Sequence, residues 1–480
     1  MYEWAIPLTT PDSPRPEPDS SPRAAIVSPV SDETGSALIF AIVISLVITS
    51  ILLIIIGATV HQRRFVQRKA DFLQARYDAE SAIHKTLAQL STDTSEPTWQ
   101  VAGEYALPLS ENDSAVVTRH PWGGYLYLAA TARRKNRDYH LGTLVGRRPG
   151  SVFDYGVVIN PRYYALVVTG DTRLYGDVLV GPSGVKKESL GGRPYTGERL
   201  VYGAIHKSEE DRRPEVDLAY VDYNYDGFQR LLDAPTEGDL RDLLTSDADT
   251  TVDLSAFGLE RPIHVTSEDL NRHPWRIRGP GTLVADGPLR LDGNVQLENR
   301  IQVLSRHPIA ISETGRFDNV LFYSPEHITL AGSELFRGQL FSESHISLRP
   351  GAQLSEPSLA MVYCRADTGG IRLARGSVVE GTVVLLTRER SPIPTGQRGT
   401  IELQPGSTVR GLVYSDNLVV LQGRVEGTVM TERFFFYRSP TGYYNWICNG
   451  QVDRNALHDG ILVPYFFKQS QARFATKVIE

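Results

Sequence analysis

Val379-Glu-Gly-Thr-Val-Val384, Val409-Arg-Gly-Leu-Val-Tyr414 and Val425-Glu-Gly-Thr-Val-Met430 are three copies of one pattern, in which glycine stands two residues after an apolar residue and two before the next apolar pair. Diverged copies precede them at Phe317-Asp-Asn-Val-Leu-Phe322 and Phe336-Arg-Gly-Gln-Leu-Phe341, with a weaker one at Leu354-Ser-Glu-Pro-Ser-Leu359. The starts at 317, 336, 354, 379, 409 and 425 step by 19, 18, 25, 30 and 16 residues, near the length of one coil in a stacked repeat. Short alternating segments introduce several copies: Ile328-Thr-Leu330, Ile346-Ser-Leu348, Ile371-Arg-Leu373, Ile401-Glu-Leu403 and Val419-Val-Leu421. Each would bury one side of its pleat, and glycine would turn the backbone at a corner with no room for a Cβ. The expected fold over 276–450 is therefore a β-solenoid, β-helix-like, whose rungs share one core. An ordinary β-sandwich with hairpin turns is the competing reading.

The same pattern recurs earlier, at Leu174-Tyr-Gly-Asp-Val178 and Val201-Tyr-Gly-Ala-Ile205, which places first rungs within 151–207. Between the two blocks, 208–275 is more polar, and Phe228-Gln-Arg-Leu-Leu232 and Asp239-Leu-Arg-Asp-Leu-Leu244 suit short helices. This segment reads as an insertion packed on the solenoid side. Residues 97–150 alternate apolar and polar between turn signals, as in Gly124-Tyr-Leu-Tyr-Leu-Ala-Ala-Thr131, and predict a small antiparallel sheet. Residues 451–480 are left as a C-terminal cap or tail. The aromatic runs Phe434-Phe-Phe-Tyr437, Gly442-Tyr-Tyr-Asn-Trp446 and Tyr465-Phe-Phe467 either cap the last rung or leave a patch for a partner.

Toward the N-terminus, Ala37 to Val60 is a run of 24 residues without a charge. As helix it is about 36 Å long, against a bilayer core of about 30 Å, and it predicts one membrane span. Phe65, Phe72, Ala79, Ile83 and Leu87 continue a helical stripe beyond it, so 36–92 reads as one long transmembrane and amphipathic helix. Residues 1–35 hold seven prolines and six acids and predict a disordered leader or tail. The whole chain is α+β and mainly β. Arg63, Arg64, Arg68 and Lys69 follow the span, and the positive-inside rule taken alone puts the C-terminal part in the cytoplasm.

Gly35-Ser36, the uncharged span, the arginine-rich juncture and the run Ala75-Arg-Tyr-Asp-Ala-Glu-Ser-Ala-Ile-His-Lys-Thr-Leu-Ala-Gln-Leu90 resemble the N-terminal helix of type IV pilin-like proteins, PilX-type minor pilins in particular. The resemblance implies cleavage between Gly35 and Ser36 by a prepilin peptidase, methylation of the new N-terminus, and a C-terminal part outside the cytoplasm of a bacterial inner membrane. Implied partners are the membrane, other pilin-like subunits, the assembly platform and the peptidase. Phe40 occupies the fifth mature position, where major pilins carry Glu, and the leader end Ser31-Asp-Glu-Thr-Gly35 is acidic where such leaders are basic. Phe40 makes the chain similar to minor pilins and tip pseudopilins rather than to bulk subunits. The C-terminal repeats look like those of bactofilin-type polymers, which implies a second candidate role, a tethered cytoplasmic scaffold joined end to end.

The 480 residues carry 50 Lys+Arg against 56 Asp+Glu, a net charge of −6 that gives no general drive toward nucleic acid. Asp222-Tyr-Asn224-Tyr-Asp226-Gly, with Asp233 at the twelfth position, matches the opening of a calcium loop, or else is a turn ahead of a helix. No other cofactor is expected. No Gly-x-Ser-x-Gly elbow, phosphate loop, H-E-x-x-H helix or C-x-x-C pair occurs. Glu380, Glu402 and Glu426 are single acids expected to face solvent, and the histidines at 206, 264, 273, 307, 327 and 345 share no metal spacing. A carbohydrate-active β-helix enzyme is the third candidate and a surface glycan a candidate partner; the leading expectation is non-enzymatic. Cys364 and Cys448 are either free thiols or one disulfide.

Overall fold

The computed structural model describes residues 34–92, 103–108, 114–134, 137–162, 164–243, 251–272, 274–292, 295–312, 315–332, 335–365, 368–389, 399–458, 460–468 and 474–478. Most of the expected leader lies outside them. The chain divides into two units, residues 1–70 and 71–480. Helix α1 (Thr34–Thr92) runs through the division as one element of 59 residues.

In the second unit, β1 (Gly103–Pro108), β2 (Ser114–Trp122), β3 (Tyr125–Arg134) and β4 (Arg137–Arg147) form an antiparallel meander. Its fifth strand is Phe474–Val478, which pairs antiparallel with β4. The expected C-terminal cap is thus split, because Gln451–Asp453 pairs with the coil instead. Ala75, Ala79, Ala82, Ile83 and Leu90 of α1 are buried. Ala79, Ala82 and Ile83 share a core with Ala115, Val117, Leu128 and Ala130 of the meander, and alanine lets the helix lie close to the strands.

From Thr251 onward, parallel strands stack coil on coil. Val379, Val409 and Val425 form one column in register, with Gly381, Gly411 and Gly427 beside them. The sheet's parallel pairings each join one coil to the next, which makes it a stack of coils and not a barrel. Each coil has three sides. The side built from segments such as 359–363 and 383–386 is buried on both faces: Ala360 and Val362 point into the coil, while Leu359, Met361 and Tyr363 meet the meander and the C-terminal aromatics. Two-faced burial explains why those segments are unbroken apolar runs, whereas Ile371-Arg-Leu373 and Ile401-Glu-Leu403, wet on one face, alternate. At roughly 1.5–3 kcal/mol per fully buried large aliphatic side chain, this inward column is the main source of stability.

One corner has a chemistry that the repeat pattern did not reveal. Ser305, Ser324 and Ser342 end their strands fully buried. Each hydroxyl accepts from the backbone N–H two residues on, at 3.0, 3.1 and 2.9 Å. Each donates to a carbonyl of the preceding coil, Gly287, His307 or Glu326, at 3.0, 2.8 and 2.6 Å. The serines satisfy backbone groups that the turn removes from the ladder.

Order in space departs from order in sequence. Beyond Val425 the column continues to Val452, and Val452 pairs not with a later residue but with Leu174. Tyr175 then bridges to Tyr202, and Val429 pairs with Val157. The block at 151–207 therefore stacks on the last coil, while the first coil of the long block begins at Thr251, inside the segment expected to be an insertion. Helix α2 (Leu218–Asp233) carries the chain back. Its Tyr225 hydroxyl donates to Ser342 O at 3.2 Å, Gln229 to the Tyr323 hydroxyl at 2.5 Å, and its last turn receives Arg306. Sixteen residues give about 24 Å of helix, or about five coil spacings of 4.8 Å.

The junction of the two blocks is clamped by charge. Arg213 reaches Asp211 at 2.7 Å and Glu432 at 2.8 Å, with the Arg213 and Glu432 side chains only 7% and 6% exposed. Asn160, at the end of the first stacked strand, donates to Glu432 at 3.1 Å and to Asp211 at 3.3 Å.

Candidate functional site

The first half of α1 presents apolar side chains outward on every side, from Leu38 through Ile56. Its few polar groups turn inward on the helix: Thr49, Ser50 and Thr59 donate to the carbonyls of Ser45, Leu46 and Ile55 at 2.7, 2.8 and 2.7 Å. A helix in hydrocarbon has this requirement, since lipid offers no partner. The segment is long and apolar enough to cross a bilayer. Gly35 and Ser36 stand in the first turn of α1 and Phe40 just beyond it, exposed. The expected stripe divides: Phe65 is exposed, Phe72 meets Tyr139 edge-on at 5.3 Å, and Ile83 and Leu87 belong with the core of the meander.

Asp222, Asn224, Asp226 and Asp233 all lie on α2, not on a loop. Tyr220, Val221, Tyr225, Phe228 and Leu232 recur on one face, and Asp217 caps the helix by accepting from Tyr220 N. Positions two apart on a helix diverge by about 200°, so the calcium spacing cannot converge on one ion. Three of the four have other work. Asp222 accepts from the Tyr363 hydroxyl at 3.0 Å, Asn224 donates to Tyr220 O at 2.9 Å, and Asp233 pairs with Arg306. Burial, reinforced by the bond to Asp222, pushes the Tyr363 phenol up to about 12. Among the described residues, no group of three or more His, Cys, Asp or Glu is placed to hold a metal.

Glu380, Glu402 and Glu426 are not bare surface acids. Arg410 bridges Glu380 at 2.7 Å and Glu426 at 2.9 Å across three successive coils, and Arg372 meets Glu402 at 3.3 Å. The histidines also serve separate corners. His206 meets Asp177 at 3.0 Å, His264 meets Asp239 at 2.7 Å, and His327 stacks on His345 with centroids 6.2 Å apart. Burial, then the neighbouring imidazole, lowers the His327 pKa. His307 lies 3.7 Å from Glu326, and His273 falls outside the described residues.

The disulfide alternative is corrected: both cysteines are free. Cys364 is buried, with its thiol donating to Leu386 O at 3.4 Å, and Cys448 sits half-exposed on the strand that pairs with Val167–Thr169. Burial pushes both thiols up. A thiol reagent at neutral pH is therefore expected to label Cys448 slowly in the native protein and Cys364 only after denaturation. Intact mass before and after reduction should not change.

No family model matches the chain, and no curated protein matches it. Among solved structures, it is similar to the competence-associated pilin ComZ from Thermus thermophilus, at 10% identity over 85% of this chain and 97% of that one, with a TM-score of 0.19. That score does not establish a common fold.

One end of the stack is occupied by the chain itself. There Asp239 bridges to His264, Glu237 N donates to Pro262 O at 2.9 Å, and Leu240 enters the core. At the other, Leu190 and Val201 are buried in the last coil, but its strand Ile205–Lys207 is exposed and, among the described residues, pairs on one side, with Val178–Val180. The aromatic runs fall into two groups. Phe434 lies in the coil core, and Tyr465, Phe466 and Phe467 lie between coil and meander rather than on the last rung. The hairpin that joins Arg424–Arg438 to Thr441–Tyr444 carries its rings outside both cores.

Proposed function

We propose that this chain is a non-enzymatic, pilin-like membrane protein acting as a minor pilin or pseudopilin in filament assembly, secretion or adhesion. The observation that carries the reading is α1, an uninterrupted helix that is apolar and exposed over its first half and buried against an antiparallel meander over its last turns. Such a helix serves membrane storage of a subunit and attachment of a head. In this reading Gly35-Ser36 is the processing junction, the membrane and like subunits are the partners, and the coil lies outside the cytoplasm. The arginine partners of Glu380, Glu402 and Glu426 support a structural rather than hydrolytic use of those acids.

The basic flank at Arg63, Arg64, Arg68 and Lys69 favours the tethered scaffold as second reading. End-to-end joining in that reading is hindered at the end that Asp239 and Leu240 cover, and would fall to the exposed Ile205–Lys207 strand at the other. The experiment is the N-terminus of the membrane-extracted protein, by intact mass, beside Gly35→Glu, in a strain with active prepilin peptidase. We expect a chain that starts at Ser36 and full loss of cleavage in the variant. An intact Met1 would instead make the scaffold the better account.

A further inference from the structure

Five aromatic residues of the hairpin, Phe435, Phe436, Tyr437, Tyr443 and Tyr444, and Trp446 just after it are at least partly exposed, and neither core uses them. Phe434 and Ile447, immediately outside that run, are buried in the coil, so the change of environment is abrupt. Pairing sets Phe435 opposite Tyr444 and Tyr437 opposite Gly442. Strand alternation puts these four on one face, together with Arg433. The Phe435 and Tyr444 rings lie 5.2 Å apart, and the Arg433 guanidinium stands 5.8 Å from the Tyr444 centroid. Tyr437 is 60% exposed, and the Phe435 ring lies over the glycine opposite it. Behind the strip, Asn445 is 1% exposed; its amide donates to Tyr164 O at 3.0 Å, but its Oδ1 has no partner among the described residues.

We propose that this strip binds an extended glycan. A pyranose ring has an apolar C–H face that packs on a flat aromatic ring, and a rim of hydroxyls that bond to phenols and a guanidinium. The strip supplies both parts, with successive rows about 6.8 Å apart along the strand. Residues 433–446 contain no Asp or Glu, so an acidic glycan is not repelled. A nucleic acid is the poorer fit, because only Arg433 and Arg438 are basic there and the chain is −6 overall. A lipid surface is poorer too, since the hairpin tip, Arg438-Ser-Pro-Thr441, is polar where an inserting tip is apolar.

The test uses the full chain in detergent, applied to insoluble chitin, cellulose and peptidoglycan, beside Tyr437→Ala and Tyr437→Trp. Tyr437 is exposed, so neither change should alter thermal unfolding, which is measured alongside. Retention on at least one polymer is expected, weakened roughly tenfold or more by Tyr437→Ala and kept by Tyr437→Trp. Failure of the unaltered protein to bind any of the three, or equal retention of Tyr437→Ala, overturns the proposal. So does binding to single-stranded DNA or anionic vesicles that Tyr437→Ala removes while no polymer is retained. None of these outcomes depends on cleavage at Gly35, so this proposal and the pilin-like reading stand or fall separately.

Discussion

Gly411→Ala is expected to lower unfolding stability by on the order of 3 kcal/mol, read as a fall in denaturation midpoint. Gly411 has φ +148°, a conformation that L side chains rarely adopt, and a Cβ there would run into the Gly381 carbonyl oxygen of the adjoining coil. Neither neighbour can give way cheaply, because that oxygen is backbone and Gly427 repeats the arrangement against the Gly411 carbonyl. Gly351→Ala is the control. It too has positive φ, at +82°, but a Cβ would meet nothing within 4 Å, so only the cost of the left-handed conformation remains, about 1–2 kcal/mol. Equal losses in the two variants would mean that close stacking at the glycine column is not what requires glycine.

Arg213→Met should be at least as damaging, by about 3–5 kcal/mol near neutral pH, because it keeps much of the side-chain volume while removing the guanidinium that buried Glu432 shares with Asp211. Adding Glu432→Gln should recover part of the loss, and a double-mutant cycle measures how much. Burial opposes ionisation of Asp211, but hydrogen bonds and charge from Arg213 outweigh it and hold the carboxyl below the usual range. A depressed carboxyl pKa stabilises the fold above the unfolded value, near 4, and that contribution is lost as pH falls through the folded value. The unaltered protein should therefore lose more stability between pH 5 and pH 3 than Arg213→Met does. An Arg213→Met protein as stable as the parent would show that the clamp is dispensable.

The glycines at 381, 411 and 427 made the coil legible in the sequence, since three near-identical copies need no allowance for insertions within the motif. Earlier copies were harder to read for a physical reason. Asn319 does the turning in one of them, with φ 56°, and Leu354 to Ser358 holds extra residues at the corner. The serine corner escaped notice because a strand-end serine looks like any turn residue until its partner on the preceding coil is known. Helix α2 was half legible: its apolar face stood out, but the oxygens at 222, 224 and 226 suggested a loop, and only packing against Tyr323, Phe341 and Tyr363 shows their helical use. Nothing local could show that residues 151–207 belong after residue 453. The hairpin rings were visible in the sequence as a cluster, but burial alone separates Phe434, which packs, from Tyr437, which does not.

The crossing of sequence order and stacking order also sets a timetable. Tyr155–Ile159 and Arg173–Tyr175 leave the ribosome early, yet the strands they stack on, Arg424–Arg438 and Gln451–Asp453, are among the last coil strands to be made. Through most of synthesis, the early block has an uncovered edge and no template. The coil is therefore closed at the junction of its two blocks, by the meeting of early and late parts of the chain, and a polypeptide broken off before residue 424 would lack structure at both places.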